Sequence, residues 1–413
     1  MRLSSIPPFP LHPTDASIPS MRSLPWLVIA VCVHSVAGCS EPATDSGPEP
    51  IVTALTARDH VTHLSDVPGS YEWWNFYAES ASGDVSLSVI FLSANLFDAH
   101  YRRDVRAWQA SPGESSAPRP SDAWLLQLNL TIDGKKVFTN IRQWPGVTAE
   151  FSPTEPRGRI GDSSFEAVEQ AGQTVFRIVL DAPDMTNSQR LQGQLELRAG
   201  APGFRVTRGM YDGIPGGGKH HWELPLGLPL TNGTVRVVAR DGSVTVPEQP
   251  IVGRGYTDHM WGEGLLGDVL SSWHFGTVDL GMEGKLVYVW LTSNEGPSHG
   301  FSFFVVPGQL PITRRLFGLT PFEQREGAMG LTFDARYALE LEEGGRVDVT
   351  FDDALGEDWP FQVSGETGVD IAIPGVIERV GARGVGEYLL QSGIDSEAYE
   401  KAFDLVDQMD WNP

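Results

Sequence analysis

Trp124-Leu-Leu-Gln-Leu-Asn-Leu-Thr131, followed by Asp133-Gly134-Lys135, is the stretch that decides the fold class. Its apolar residues run in partial alternation, the pattern of a strand with one buried face. Asp-Gly then supplies two residues that tolerate the positive φ angles of a tight hairpin. The same grammar recurs in both directions. Val85–Leu92 reads as a strand upstream. Downstream come Val175–Leu180, Gln194–Ala199, Thr234–Ala239, Trp273–Leu280, Lys285–Leu291, Phe301–Val306, Leu331–Glu340 and Arg346–Phe351. Asn-Gly, Asp-Gly, Glu-Gly and Gly-Gly pairs separate them. With 45 Gly and 30 Pro in 413 residues, short strands joined by turns are favoured over long helices. The expected fold class is therefore all-β and antiparallel, built as barrels or sandwiches. The strands fall into two groups, Ile51–Pro229 and Leu230–Gly386, read as an N-terminal and a C-terminal β-domain. The polar, Pro-bearing segment Tyr101–Ser121 is expected to be a long loop. A short C-terminal helix is expected within residues 387–413, where Ala398, Ala402, Leu405, Val406 and Met409 fall on one side of Asp395–Met409.

The chain begins with a segment that is not part of this pattern. From Met21 a basic start leads into the apolar run Leu24–Val33 and then Val36-Ala37-Gly38-Cys39. That is the order of a secretory signal, and Val-Ala-Gly-Cys resembles a bacterial lipobox. Residues 1–38 are thus read as an N-terminal extension and lipoprotein signal peptide, with lipidation at Cys39. Residues 39–50 are read as a linker. The expectation is an exported bacterial lipoprotein at the periplasmic or outer-membrane face, held to the membrane by its lipid anchor. The two cysteines, Cys32 and Cys39, both lie in this segment, so the body has no disulfide and no thiolate chemistry. A balance of 30 basic against 53 acidic residues gives a net charge of -23. Such a chain repels phosphate backbones, which excludes nucleic acid as a partner.

Chemistry concentrates in three segments. Gly253-Arg254-Gly255-Tyr256-Thr257-Asp258-His259-Met260-Trp261-Gly262 sets an acid and aromatics between glycines. On a strand, Tyr256 and Asp258 share one face. In His220-His221-Trp222-Glu223-Leu224-Pro225, His220 and Trp222 share one face. Glu72-Trp73-Trp74-Asn75-Phe76-Tyr77 adds dense aromatics that line a pocket or plug a core. A carboxyl desolvated among Tyr256, His259 and Trp261 would stay protonated near neutral pH and act as an acid. The competing reading is a solvated turn aspartate, and for His220 a satisfied core histidine. His221, His259 and His274 with Asp258 and Glu223 offer ligands, but no pair has the helical spacing of a familiar zinc motif, so no metal is expected. Gly213–Lys219 mimics a phosphate loop but lacks the following Ser/Thr, and Gly296-Pro-Ser298-His-Gly300 mimics a nucleophile elbow but runs into a strand.

Taken together, Tyr71–Phe76, His220-x-Trp222 and Gly255–Gly262 resemble the carotenoid 1,2-hydratase (hydroxyneurosporene synthase) family. That family lies in a wider lipocalin-like group that includes pericyclic cyclases of natural-product pathways. The resemblance covers most of Ile51–Gly386 in motif order. It implies two lipocalin-like (calycin) antiparallel β-barrel domains with an apolar tunnel near their contact. It also implies cofactor-free addition of water to the terminal double bond of an acyclic carotenoid or other isoprenoid. By resemblance Asp258 is the proton donor, with His220, Tyr256 and Trp222 as further catalytic positions. Trp73, Trp74, Trp261 and Trp273 are expected to contact the hydrophobic substrate. Two other readings stay open: a lipocalin-like binder of hydrophobic ligands without turnover, and a cyclase or isomerase acting on a polyene.

Overall fold

Asp133 and Gly134 have φ angles of 51° and 71°, so the turn after Trp124–Thr131 is the tight hairpin that the dipeptide demands. The computed structural model describes residues 51–93, 98–113, 116–143, 149–185, 188–208, 211–327, 330–358, 362–374 and 377–390. The signal segment, Cys39, the linker and the expected helix over Asp395–Met409 lie outside the described residues.

Two antiparallel β bodies follow one another. The first contains β1 (Ile51–Ala54), β2 (Tyr71–Ser80), β3 (Val85–Ser93), β4 (Trp124–Ile132), β5 (Lys135–Gln143), β6 (Ala149–Phe151) and β7 (Arg157–Ile160). It continues with β8 (Ser163–Gln170), β9 (Gln173–Pro183), β10 (Gln189–Ala199), β11 (Phe204–Arg208), β12 (His220–Leu224), β13 (Pro229–Ala239) and β14 (Val244–Gly262). These form a 14-stranded sheet whose main path is β5-β4-β3-β2-β14-β13-β10-β9-β8-β7-β6, with β12, β11 and β1 branching from β14. The second body is a closed barrel of β15 (Leu270–Asp279), β16 (Lys285–Ser293), β17 (His299–Val305), β18 (Ile312–Glu326), β19 (Thr332–Leu341), β20 (Arg346–Asp358), β21 (Gln362–Ile373) and β22 (Ile377–Leu390). Its strands pair in sequence order, the up-and-down, calycin-like arrangement.

Three expectations are corrected. The break between the bodies does not fall at Pro229/Leu230. β13 and β14 complete the first sheet, and the barrel starts only at Leu270. The turn signals of the first body continue smoothly across Pro229, so spacing alone misplaced the boundary. Residues 387–390 belong to β22, which pairs with β15 and β21, and not to a helix. The one α-helix among the described residues is α1 (Ala99–Ala110), inside the segment expected to be a loop. Asp98 caps it by accepting from the His100 and Tyr101 backbone N–H groups at 2.8 and 3.1 Å. Tyr101 and Val105 are its buried stripe.

Period-two alternation divides each sheet between an inner and an outer face. On β3, Val85, Leu87, Val89 and Phe91 point into the core of the first body. On β16, Leu286, Tyr288 and Trp290 fill the barrel. Val287, Val289 and Leu291 on the same strand face outward. They meet Tyr71, Trp222, Leu224, Tyr256 and Met260 of the first body, so a third apolar cluster lies between the two bodies. Each large side chain buried there contributes on the order of 2 kcal/mol. The contact is pinned at one edge by polar groups. Lys285 Nζ donates to the Gly255 carbonyl at 2.5 Å, and Arg254 pairs with Asp279. Helix α1 adds Tyr101 and Val105 to this cluster, and Tyr101 Oη accepts from the Gly69 N–H at 3.0 Å.

Candidate active site

β14 is flanked by β2 and β12, and their registers assemble the site. Asp258 is opposite Asn75, Met260 is opposite Trp73 and Trp222, and Gly262 is opposite Tyr71 and His220. Directly opposed residues share a face. Tyr256, Asp258, Met260, Tyr71, Trp73, Asn75, His220 and Trp222 therefore occupy the face turned toward the barrel. Tyr256 shares a face with Asp258 and His220 with Trp222, as strand alternation implies, and the registers bring these two pairs onto one surface. Trp73 stands there too, and Trp273 of β15 joins from the barrel side.

Asp258 is 8% exposed. Trp73 Nε1 donates to its Oδ1 at 2.9 Å, and Asn75 Nδ2 donates to its Oδ2 at 3.2 Å. Burial pushes its carboxyl up to about 6, against the pull of the Trp73, Asn75 and Tyr256 donors toward the charged form. The Tyr256 hydroxyl is near enough to favour that charge, yet makes no hydrogen bond of ordinary geometry. Burial, with Asp258 nearby, holds this phenol well above its usual range. Burial likewise lowers His220 to about 4, so its imidazole is neutral at pH 7. His220 Nδ1 and Tyr71 Oη are hydrogen-bonded at 2.9 Å. Gly262 makes that pair fit: a Cβ there would stand 2.3 Å from His220 Nδ1 and 2.9 Å from the Tyr71 ring. Tyr211 adds a further buried phenol close enough to feel the Asp258 charge.

Trp74 and Trp261 do not line this surface. They alternate to the opposite face of β2 and β14. Trp74 stacks on His259 at 4.5 Å, and Trp261 stacks on His63 at 4.2 Å. Of the four tryptophans expected at the substrate, Trp73 and Trp273 are on this surface, and Trp74 and Trp261 are not, because the pleat separates neighbours. That opposite face carries a buried charge network. Glu223 Oε1 lies 2.8 Å from His259 Nδ1 and 3.0 Å from His60 Nδ1, and Arg205 Nε donates to its Oε2 at 2.9 Å. Glu72 Oε1 lies 2.8 Å from His259 Nε2, and Thr62 donates to Oε2. Burial opposes the charge on His259, but the Glu223 and Glu72 carboxylates override it and raise the imidazole to about 9. Burial would lift Glu223, and His259 and His60 hold it well below the usual carboxylate range.

His60, Glu223 and His259 place donor atoms within 4.8 Å of one another, close enough to share a cation. The charges there are already matched, with two carboxylates facing the His259 imidazolium and Arg205. This donor set fits a proton-based network better than a divalent ion, which would have to displace the His259 protons. The five ligands considered from sequence are not brought together. His274 sits inside the barrel 3.0 Å from Asp334, and Asp258 faces away from His259 and Glu223. His60, Arg205 and Tyr211 lie outside the segments singled out by sequence, because their distances along the chain gave no hint of convergence, and Tyr71 and Asn75 lie inside one of them without having been given a role. A separate open cavity of about 1300 Å³ lies in the first body, lined by Trp124, Phe151 and Phe165 together with charged side chains such as Arg157, Glu166 and Arg177; Asp258 is not among its lining residues.

No protein-family model matches the chain. Over 221 residues it is 24% identical to the hydroxyneurosporene dehydrogenase of Chlorobaculum tepidum, covering 52% of this chain and 55% of that protein. The match thus spans about half the length of the curated relative. Among solved structures, CghA superposes with a TM-score of 0.47 at 14% identity, covering 83% of this chain and 98% of that one. Kievitone hydratase from Nectria haematococca gives a TM-score of 0.41 at 12% identity, covering 83% of this chain and 97% of that one.

Proposed function

We propose that this chain is a hydratase-like enzyme that adds water to a carbon–carbon double bond of an acyclic carotenoid or other isoprenoid, with Asp258 as the general acid. The observation that carries the reading is the environment of Asp258: a buried carboxyl held near 6, on an aromatic surface between two β bodies. Protonating a trisubstituted alkene at its less substituted carbon gives a tertiary carbocation. The protonated fraction of the carboxyl, about a tenth at pH 7 for a group held near 6, supplies that proton, and the ring faces of Trp222 and Tyr256 stabilise the cation. His220 is neutral near pH 7 and suits holding a water molecule rather than adding a second positive charge. The kinship with a protein named for hydroxyneurosporene supports an isoprenoid substrate. We further propose export and lipidation at Cys39, to be tested by loss of palmitate labelling in Cys39→Ser.

The test feeds a lycopene-type polyene in heavy-oxygen water. A labelled tertiary alcohol is expected from the parent, and at most trace yield from Asp258→Asn. Equal yields from both would reject the mechanism. A second reading, a carrier of hydrophobic ligands, rests on the apolar contact between the two bodies. It requires stoichiometric recovery of unaltered ligand. A product of unchanged mass but altered absorbance would instead point to a cyclase or isomerase.

A further inference from the structure

Hydration needs two proton transfers, and Asp258 accounts for one. The attacking water must lose a proton, and the acid must regain one. The barrel contributes a carboxylate to the same contact. Glu387 of β22 lies opposite Phe275 of β15, so their side chains share the outer face of the barrel. The Phe275 ring packs against Tyr256 with centroids 5.5 Å apart. Glu387 is held in place by two donors: Trp273 Nε1 to its Oε1 at 2.6 Å and Gln362 Nε2 to its Oε2 at 2.9 Å. Unlike Asp258, Glu387 is only partly buried, and both of its oxygens act as acceptors, the role a base requires. Tyr256 thus packs against the residue opposite Glu387 and feels the charges of both Asp258 and Glu387, with its hydroxyl buried and without a well-formed partner.

We propose that Glu387 is the general base of the hydration, and that Tyr256 returns the proton from Glu387 to Asp258. The inference rests on the hydratase reading. Asp258 gives its O–H proton to the alkene carbon, forming a C–H bond and a carbocation. The water oxygen bonds to the cation and passes one proton to Glu387. Tyr256 then gives its hydroxyl proton to the Asp258 carboxylate while taking one from Glu387, so both carboxyl groups return to their starting states. The sum is alkene plus water to alcohol. The return is concerted, because the Tyr256 phenol is too weak an acid for its anion to accumulate. Other charged groups around this line are Glu79, Glu366 and Lys285, which surround the neighbouring Tyr77 and the Gly255 carbonyl.

The experiment compares the parent with Glu387→Gln and Glu387→Asp in deuterated water, measuring alcohol formed and deuterium in recovered alkene. In Glu387→Gln, Asp258 still protonates the alkene and can retake a proton, but water is not activated. Hydration is expected to fall on the order of a hundredfold, while deuterium continues to enter the recovered substrate. Glu387→Asp should recover part of the rate. If the parent hydrates and Glu387→Gln keeps kcat within about twofold, the base assignment is wrong and the hydratase reading survives. Parallel loss of exchange and hydration in a folded variant marks a structural role and also overturns it. A parent that never incorporates water rejects both readings.

Discussion

Asp258→Asn should make the folded protein more stable at neutral pH. Burial raises this carboxyl from its ordinary 3.8 to about 6, so the folded chain binds more protons than the unfolded chain between those values. Stability therefore falls as pH rises through that window and levels off above it. The ionised carboxylate at pH 7 costs about 3 kcal/mol relative to a group with no such shift. An amide is nearly isosteric and does not ionise. Its oxygen can still accept from Trp73 Nε1. Its nitrogen would face the Asn75 Nδ2 donor, but Asn75 Oδ1 is buried without a partner, so turning that amide over pairs both groups. The expected gain is about 3 kcal/mol at pH 7, or a rise in melting temperature of about 7 °C for a body of this size. At pH 4 the gain should vanish, because the parent is then protonated as well. Melting curves of parent and variant from pH 4 to pH 8 measure this. A variant that is less stable at pH 7, or a difference independent of pH, would refute the argument that Asp258 is held in an unfavourable charged state.

Three further outcomes follow from the same geometry. Gly262→Ala forces a Cβ against His220 Nδ1 and Tyr71; a loss of about 1–3 kcal/mol in urea titration is expected, and a neutral result would mean the pair moves aside freely. Trp73→Phe removes the Nε1–H donor to Asp258, so the carboxyl should titrate above about 6, read by carboxyl-carbon NMR as a midpoint moved upward. His259 is raised above its unfolded value, so its contribution is complete below about 6.5 and is lost as pH rises through about 9. His259→Gln should cost about 3–5 kcal/mol at pH 7, and the difference from the parent should shrink toward pH 10 in paired denaturation curves.

The strands were legible because alternation and Gly-containing turns are local signals. Val85–Leu92, Trp124–Thr131 and Lys285–Leu291 all became strands at nearly the expected limits. Helix α1 was hidden because its apolar stripe is thin. Tyr101 and Val105 are surrounded by His, Arg, Asp and Gln, and only Asp98 as a cap with i, i+4 spacing could have revealed it. Period two was enough to pair Tyr256 with Asp258 and His220 with Trp222, but joining the two pairs on one face takes the β12–β14 register, which no local signal encodes. The position of Trp74 and Trp261, on the face opposite Trp73 and Asp258, is available from the same alternation. The partners of Glu223 were not legible. His60 is 163 residues away along the chain, and nothing in either segment encodes the β1-β11-β12 branch that brings β1 close to them.

The pairing of β2 with β14 has a consequence for how this sequence can change in length. Asp258 and His259 are adjacent, yet they serve opposite sides of one sheet, as do Trp73 and Trp74. Deleting or adding one residue within Tyr71–Tyr77 or Tyr256–Gly262 would turn every later side chain of that strand over. A carboxyl would enter the packed interior of the first body, and an imidazolium would emerge into the apolar contact. Length variation in this chain is therefore confined to the connecting turns, where an extra residue changes no side chain's allegiance.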